Sequence, residues 1–376
     1  MPRAIVPALT AAGSNRGMTA EPNPEPKPES RSEPKAEQTS ATSEIDIAWR
    51  FLLLNWIVVG AMTAALALSV AVSRFSIGLS GLAIAAAYVG VYAGFAHANA
   101  RSPRRRDPQV MFVLGGIAQV VLITAVMAPL TYVAASTDLP MQDASLLALD
   151  RALGLDWAAY VRFVDDRPAL AEWLNYGYTM IRWPIFAIPV ILAACRRYRR
   201  IEEFTFAFGL ALVVTTIVSA LVPAIGVYQE IGFDPATLST IDPRAYLEQL
   251  RDLPPTRDGL LRHLDLMGLG GIVTFPSFHA ASAVLYAWAL WPVRYLWPIA
   301  LLANGAMLLA TPLNGGHYFV DLIAGIAVAV AAIVAARFAG RALERRRLVA
   351  PAAGPAPGTP VEDSLPASVP VAVPAE

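Results

Sequence analysis

The sequence predicts an all-α protein, a polytopic membrane helical bundle of about eight transmembrane helices. Three observations predict it. Hydrophobic residues make up 56% of the 376-residue chain and charged residues only 15%, a balance that argues against one soluble core. The apolar residues gather into runs of the ~20 residues that a bilayer requires. Arginines punctuate those runs in clusters that fall on one side. The formal net charge of zero hides this asymmetry and excludes nothing by itself.

Taken in order, residues 1–46 are rich in Pro, Glu and Ser, as in Glu21-Pro22-Asn23-Pro24-Glu25-Pro26-Lys27, and are expected to be a disordered tail. They contain no apolar run long enough for a signal peptide. The membrane domain is expected at 47–348, with spans at roughly 50–73, 77–98, 110–135, 172–195, 203–227, 277–293, 295–312 and 317–338. The sixth and seventh are short and joined tightly between Trp291-Pro292 and Trp297-Pro298. Residues 349–376 are rich in Pro, Ala and Val and are expected to be a second disordered tail. Cys195 is alone, which excludes an intrachain disulfide.

Three arginine clusters set the orientation. They are Arg101 with Arg104, Arg105 and Arg106; Arg196 with Arg197, Arg199 and Arg200; and Arg337 with Arg341, Arg345, Arg346 and Arg347. With eight spans all three face the cytoplasm, both termini are cytoplasmic, and the long loops at about 136–171 and 228–276 are external. Each external loop holds one segment with helical apolar spacing, Asp143 to Tyr160 and Pro243 to Leu253. Each is expected to lie at the interface, either as an inert amphipathic segment or as a cap over a pocket that touches a lipid headgroup.

Two stretches carry chemistry: Phe275-Pro276-Ser277-Phe278-His279-Ala280 and Gly315-Gly316-His317-Tyr318-Phe319-Val320-Asp321. Each places a histidine at the start of an apolar helix, and the chain has only four histidines. The chain crosses inward and back once between His279 and His317, so both are expected on the external side. Asp321 lies one helical turn beyond His317. Pro276 suits a first helical turn. The helix starts, with the Ser277 hydroxyl, are expected to offer donors and partial positive charge to an anion. Phosphoryl transfer needs a nucleophile, an acid and donors for the equatorial oxygens. His317 held by Asp321 fits the nucleophile, and His279 fits the acid. Arg182, inside the fourth span with Tyr178 one turn outward, is either a phosphate ligand or a structural charge paired with a carboxylate such as Asp321.

Pro276-Ser277-Phe278-His279 and His317-x-x-x-Asp321 resemble the second and third motifs of the type 2 phosphatidic acid phosphatase superfamily. Phe278 followed by His279-Ala280, and the run His317-Tyr318-Phe319-Val320-Asp321, are more similar to its inositol phosphorylceramide synthase branch. The resemblance covers mainly 270–338. It implies a six-helix phosphatase-like core, His317 as nucleophile, Asp321 as its orienting partner and His279 as general acid. The chain also departs from the pattern. Ala310 and Thr311 stand where the third motif usually has Ser-Arg, and Tyr160 stands where the first motif would have its lysine ahead of Arg167-Pro168. Both lysines of the chain, Lys27 and Lys35, are in the N-terminal tail. The expected substrate-binding residues are therefore Ser277, Arg182 and Tyr178, with Arg167, Arg244 and Arg262 of the external loops as the other phosphate ligands to consider.

Three readings stay open. The first is an integral-membrane lipid phosphatase or phosphotransferase acting through a phospho-histidine, with transfer of a phosphoinositol-type headgroup to a lipid acceptor as its sphingolipid-related form. The second is a haem-binding electron-transfer protein with His279 and His317 as axial ligands. The third is an inactive scaffold of the same fold. The first implies a lipid phosphate substrate in the membrane, no metal or cofactor and no nucleic acid, in the inner or plasma membrane with the site on the extracytoplasmic side.

Overall fold

A segment in hydrocarbon must satisfy its own backbone, and a helix does so within the segment. The computed structural model describes residues 33–102 and 107–349 and is an all-α helical bundle. The outer parts of both expected tails, and Arg104, Arg105 and Arg106, lie outside the described residues. The chain divides into two units, 1–41 and 42–376. Of the first, residues 33–41 are helical; everything below concerns the second.

In chain order the elements are α1 (Glu33–Val72), β1 (Ser76–Ile77), α2 (Leu79–Arg101), α3 (Pro108–Ala135), α4 (Asp143–Ala152), α5 (Trp157–Asp165), α6 (Pro168–Thr179), α7 (Pro184–Ala194), α8 (Tyr198–Leu221) and α9 (Val227–Glu230). A 3-10 turn at Pro235–Thr237 leads to α10 (Arg244–Arg257), β2 (His263–Leu264), α11 (Phe278–Leu290), α12 (Trp297–Asn314) and α13 (Phe319–Val349). The two short strands pair in parallel, Ser76 with His263 and Ile77 with Leu264. Because α1 starts at Glu33, the last part of the range assigned to the N-terminal tail is helical.

All eight expected spans fall on helix, but not as eight equal crossings. Among the described residues five helical segments are long and apolar enough to cross a membrane: Glu44–Val72, Leu79–Asn99, Pro108–Ala135, Tyr198–Leu221 and Phe319–Arg345. The expected fourth span is not continuous. It is the pair α6 and α7, bent by 71° and counted as a sixth crossing only if the pair is one span. Pro184 opens α7 and has no N–H to donate to the Met180 carbonyl, so the hydrogen-bond ladder stops there. With 13 and 18 residues, α11 and α12 are short. At 1.5 Å per residue they are about 20 and 27 Å long, below the ~30 Å hydrocarbon thickness.

Helices α8, α11 and α13 pack on one another, α3 packs on α8, and α6 packs on α12. One buried cluster, with Phe112, Phe204, Phe208, Tyr286 and Met307, fills the bundle, and a second around Trp157, Tyr228 and Tyr318 lies under the connecting helices. In lipid such contacts rest on close packing rather than on exclusion of water, so small residues matter where helices meet. Gly325 of α13 is the sharpest case. A Cβ there would overlap the Ser277 carbonyl oxygen and come within 3.0 Å of the Ala280 Cβ. Alanine at 325 should therefore destabilise by about 1–3 kcal/mol through overpacking, although alanine is the better helix former by about 1 kcal/mol. The readout is the thermal midpoint of the solubilised protein; a midpoint at or above wild type would contradict the close approach.

The two ends of the bundle differ. At one, Arg199 pairs with Glu203 at 2.9 Å and with Glu344, and the Arg200 guanidinium lies 3.5 Å from the Trp288 ring centroid. Two of the arginine clusters thus share an end, since α8 begins there and α13 finishes there. The other end holds the start of α13 and the end of α8, and there the two histidine motifs meet.

Candidate active site

The site is built by the starts of α11 and α13, the elbow between α6 and α7, and α10 lying across them. His317 sits just before α13 and is 3% exposed. Its Nδ1 is 3.1 Å from Asp321 Oδ2, and the same oxygen accepts the Tyr318 N–H at 2.9 Å. The i,i+4 spacing thus delivers the expected pair, with Nε2 left for other work. His279 lies in the first turn of α11, and its ring stacks on Tyr178 of α6 with centroids 4.3 Å apart and planes 12° apart. Gly315 keeps this corner open: a Cβ there would stand 2.7 Å from His317 Cδ2 and 3.0 Å from the Tyr178 hydroxyl.

His279, His317, Tyr178 and Arg182 line one cavity of about 250 Å³, together with Thr179, Glu248, Gln249 and the 269–271 backbone. Arg182 stands in the elbow between α6 and α7 rather than deep inside a straight helix. The break in the fourth span is what brings its guanidinium to the histidines. It is not paired with Asp321, whose Oδ2 is engaged by His317 and Tyr318, and it makes no ion pair among the described residues. A second cavity, about 270 Å³ and largely apolar, shares Arg182, His279 and Gly270 with the first. It runs between α3, α7 and α8, lined by residues such as Met127, Ile185, Phe208 and Leu212.

Other expectations change. Pro276 lies ahead of the helix and not in its first turn, because Ser277 is the cap residue and α11 begins at Phe278. Ser277 is fully buried, its hydroxyl accepts the Ala280 N–H at 3.3 Å, and its own N–H donates to the Asp321 carbonyl at 3.0 Å. It is not among the residues that line the cavity. The start of α13 is committed as well. Asp150 of α4 accepts the Phe319 and Val320 N–H groups, each at 2.8 Å. The start of α13 is therefore occupied by the protein's own oxygens, whereas at α11 the cap takes the Ala280 N–H, and Arg182 is the one arginine among the residues lining the cavity. The loop arginines lie elsewhere: Arg167 bonds the Phe163 carbonyl, Arg244 lies near Asp242, and Arg262 bonds the Thr256 carbonyl. At the divergent positions, Thr311 bonds the Met307 carbonyl and Tyr160 the Leu309 carbonyl, each a structural bond.

The helices of the two long loops, α4 and α10, fasten the elements around the site. Asp143 and Asp150 are buried on one face of α4 with Leu146 between them. Asp143 accepts the Ile225 and Gly226 N–H groups and the Tyr318 hydroxyl, so α4 ties the chain just after His317 to the 225–226 backbone. Burial outweighs the two backbone donors on Asp150 and raises its pKa above the ordinary carboxylate range. On α10, burial acts on Asp252 in the same direction, but hydrogen bonds from Arg251 and Tyr132 prevail and hold it below that range. The Tyr132 hydroxyl donates to Asp252 at 2.7 Å, which pins α10 to α3 above the cavity. These roles were not visible in the sequence, where an acid on the buried face of an amphipathic helix looks like any solvated acid.

Set against known proteins, residues 144–335 match the family model described as the PAP2 superfamily. No curated protein and no solved structure matches the chain.

Proposed function

This chain belongs to the PAP2 superfamily, and on that premise we propose that it is an integral-membrane lipid phosphoesterase working through a phospho-histidine at His317. Membership supports a membrane enzyme of phosphatase type. The finer reading is ours: phosphoryl transfer to an alcohol, with a phosphoinositol-type headgroup moved to a lipid acceptor, as the motif wording around Phe278-His279-Ala280 suggests. The membrane is the inner or plasma membrane, with the cavity on the extracytoplasmic side.

The observation that carries this proposal is the shared wall of the two cavities. The Arg182 guanidinium and the His279 imidazole stand where a polar cavity meets an apolar one, and His317 lines the polar cavity beside them. A molecule with a phosphate and a hydrocarbon chain fits both at once. Within the polar cavity, Asp321 holds the proton on Nδ1 of His317 and leaves the Nε2 lone pair to attack phosphorus. As the N–P bond forms, the bond from phosphorus to the leaving oxygen breaks, and His279 gives that oxygen a proton. In the second half His279 takes the proton from water or an alcohol, whose oxygen attacks phosphorus and frees Nε2. Arg182 neutralises charge on the equatorial oxygens throughout.

The test is incubation of the purified full chain with phosphatidylinositol or phosphatidic acid, with and without diacylglycerol or ceramide, followed by lipid analysis. A new phosphoinositol lipid or released phosphate is expected; no change with any donor would refute the reading.

Arg182 gives a separate prediction. Arg182→Ala should raise KM at least tenfold, since a charge-assisted hydrogen bond contributes about 1.5–3 kcal/mol. Lys at 182 should recover only part of this, because the two-pronged contact is lost. Unaltered kinetics in well-inserted Arg182→Ala protein would show that phosphate is held by other groups.

A further inference from the structure

Glu248 is a carboxylate in a cavity that must accept an anion. Its direction is fixed by its neighbours on α10. Tyr246, Gln249, Asp252 and Leu253 are buried. The Gln249 amide donates to the Ala224 carbonyl and the Thr274 hydroxyl, and Asp252 is fastened to Tyr132. Between these anchors Glu248 is half-buried, lies against Gly270, and lines the cavity with Arg182, Tyr178 and both histidines. Among the described residues it makes no hydrogen bond and no ion pair, and Arg182 in the same cavity makes no ion pair either. No ion pair joins the two charges, so the cavity presents a separate cation and a separate acceptor.

Such a carboxylate repels a phosphate unless the ligand also brings a donor to it. A lipid phosphomonoester brings up to two negative charges and no donor for Glu248. A phosphodiester whose headgroup carries hydroxyls brings one negative charge and several donors. Neutral Thr179 and Gln249 in the same lining also suit hydroxyls. An ammonium headgroup would satisfy Glu248 but would meet the Arg182 guanidinium in the same small space. We propose that Glu248 is a specificity-determining residue that accepts hydrogen bonds from headgroup hydroxyls, so that the preferred donor lipid carries a hydroxylated headgroup on its phosphate. This rests on the phosphoryl-transfer reading above.

The experiment compares kcat/KM of the full chain, wild type and Glu248→Ala, in vesicles doped with phosphatidylinositol, phosphatidylethanolamine or phosphatidic acid. Loss of a hydrogen bond to a charged acceptor should lower turnover of phosphatidylinositol by roughly ten- to a hundredfold. Turnover of phosphatidic acid should rise, because a like charge is removed. Glu248→Gln, which keeps the shape and one acceptor oxygen, should fall between wild type and Glu248→Ala for phosphatidylinositol. A loss of the same size for all three lipids would mean a structural role and overturn the proposal. So would a wild-type preference for phosphatidic acid, or a loss confined to phosphatidylethanolamine. Wild-type protein inactive on every lipid would instead sink the phosphoryl-transfer reading, and this proposal with it.

Discussion

Alanine at position 317 is expected to abolish turnover while leaving membrane insertion intact. The ring supplies the attacking Nε2, and nothing else lining the cavity replaces it: Tyr178 is stacked on His279, and the remaining polar groups are an arginine, a threonine, a glutamate and a glutamine. Losing the group that forms the covalent intermediate removes the reaction path itself, so the loss should exceed the ~10²–10⁴ that removal of a general acid costs. The substitution also leaves Asp321, 0% exposed, with only the Tyr318 N–H on its Oδ2, so some stability is lost as well. His317→Asn separates the two effects, because its amide can still donate to Asp321 yet cannot attack phosphorus. Both variants should be inactive, and the asparagine variant should unfold closer to wild type. Asp321→Asn should keep a little activity, since it orients the ring and does not react. Full activity in either His317 variant would refute the assignment.

His279→Ala is the second large effect, a loss of about 10²–10⁴ from removing a general acid and base. Its size should depend on the leaving group. An aryl phosphate ester, whose leaving oxygen needs no proton, should recover most of the first half-reaction in His279→Ala and none in His317→Ala. The phospho-enzyme should then accumulate, because the second half-reaction still needs His279 to activate the acceptor. Removing the ring also uncovers one face of Tyr178, so the thermal midpoint must be recorded beside the rates. Equal rescue of both histidine variants by the activated ester would show that the roles are not divided this way.

Much of the fold was legible in the sequence. An apolar run in a bilayer satisfies its backbone best as helix, and each of the eight runs is mostly helical, the fourth divided between α6 and α7. The pair His317 and Asp321 was legible for a similar reason, because i,i+4 is a local relation. What escaped was set by distant partners. The Asp150 bonds to Phe319 and Val320 span 169 and 170 residues, and that of Asp143 to Gly226 spans 83. No periodicity marks such bonds. Arg182 was found as a residue but misplaced, because a proline that breaks a helix and one tolerated within it look alike in sequence. Pro184 opens α7, whereas Pro189 sits inside it. Ser277 was read as a ligand of phosphate because its hydroxyl stands beside a helix start; in the fold that hydroxyl caps the helix. Glu248 sat in a segment recognised only as amphipathic, and its place in the cavity depends on Gln249 and Asp252 reaching Ala224, Thr274 and Tyr132.

The central claim is a covalent bond between phosphorus and Nε2 of His317. It is tested most directly by quenching the purified full chain during turnover of a lipid phosphate ester at neutral to alkaline pH, where a phospho-histidine survives, and mapping the adduct by peptide mass spectrometry. The account predicts a phosphoryl or headgroup-phosphoryl adduct on the peptide that contains His317. It should be absent from His317→Ala and more abundant in His279→Ala supplied with an activated ester. Active protein that yields no adduct in any of these mixtures, or an adduct that persists in His317→Ala, would contradict it.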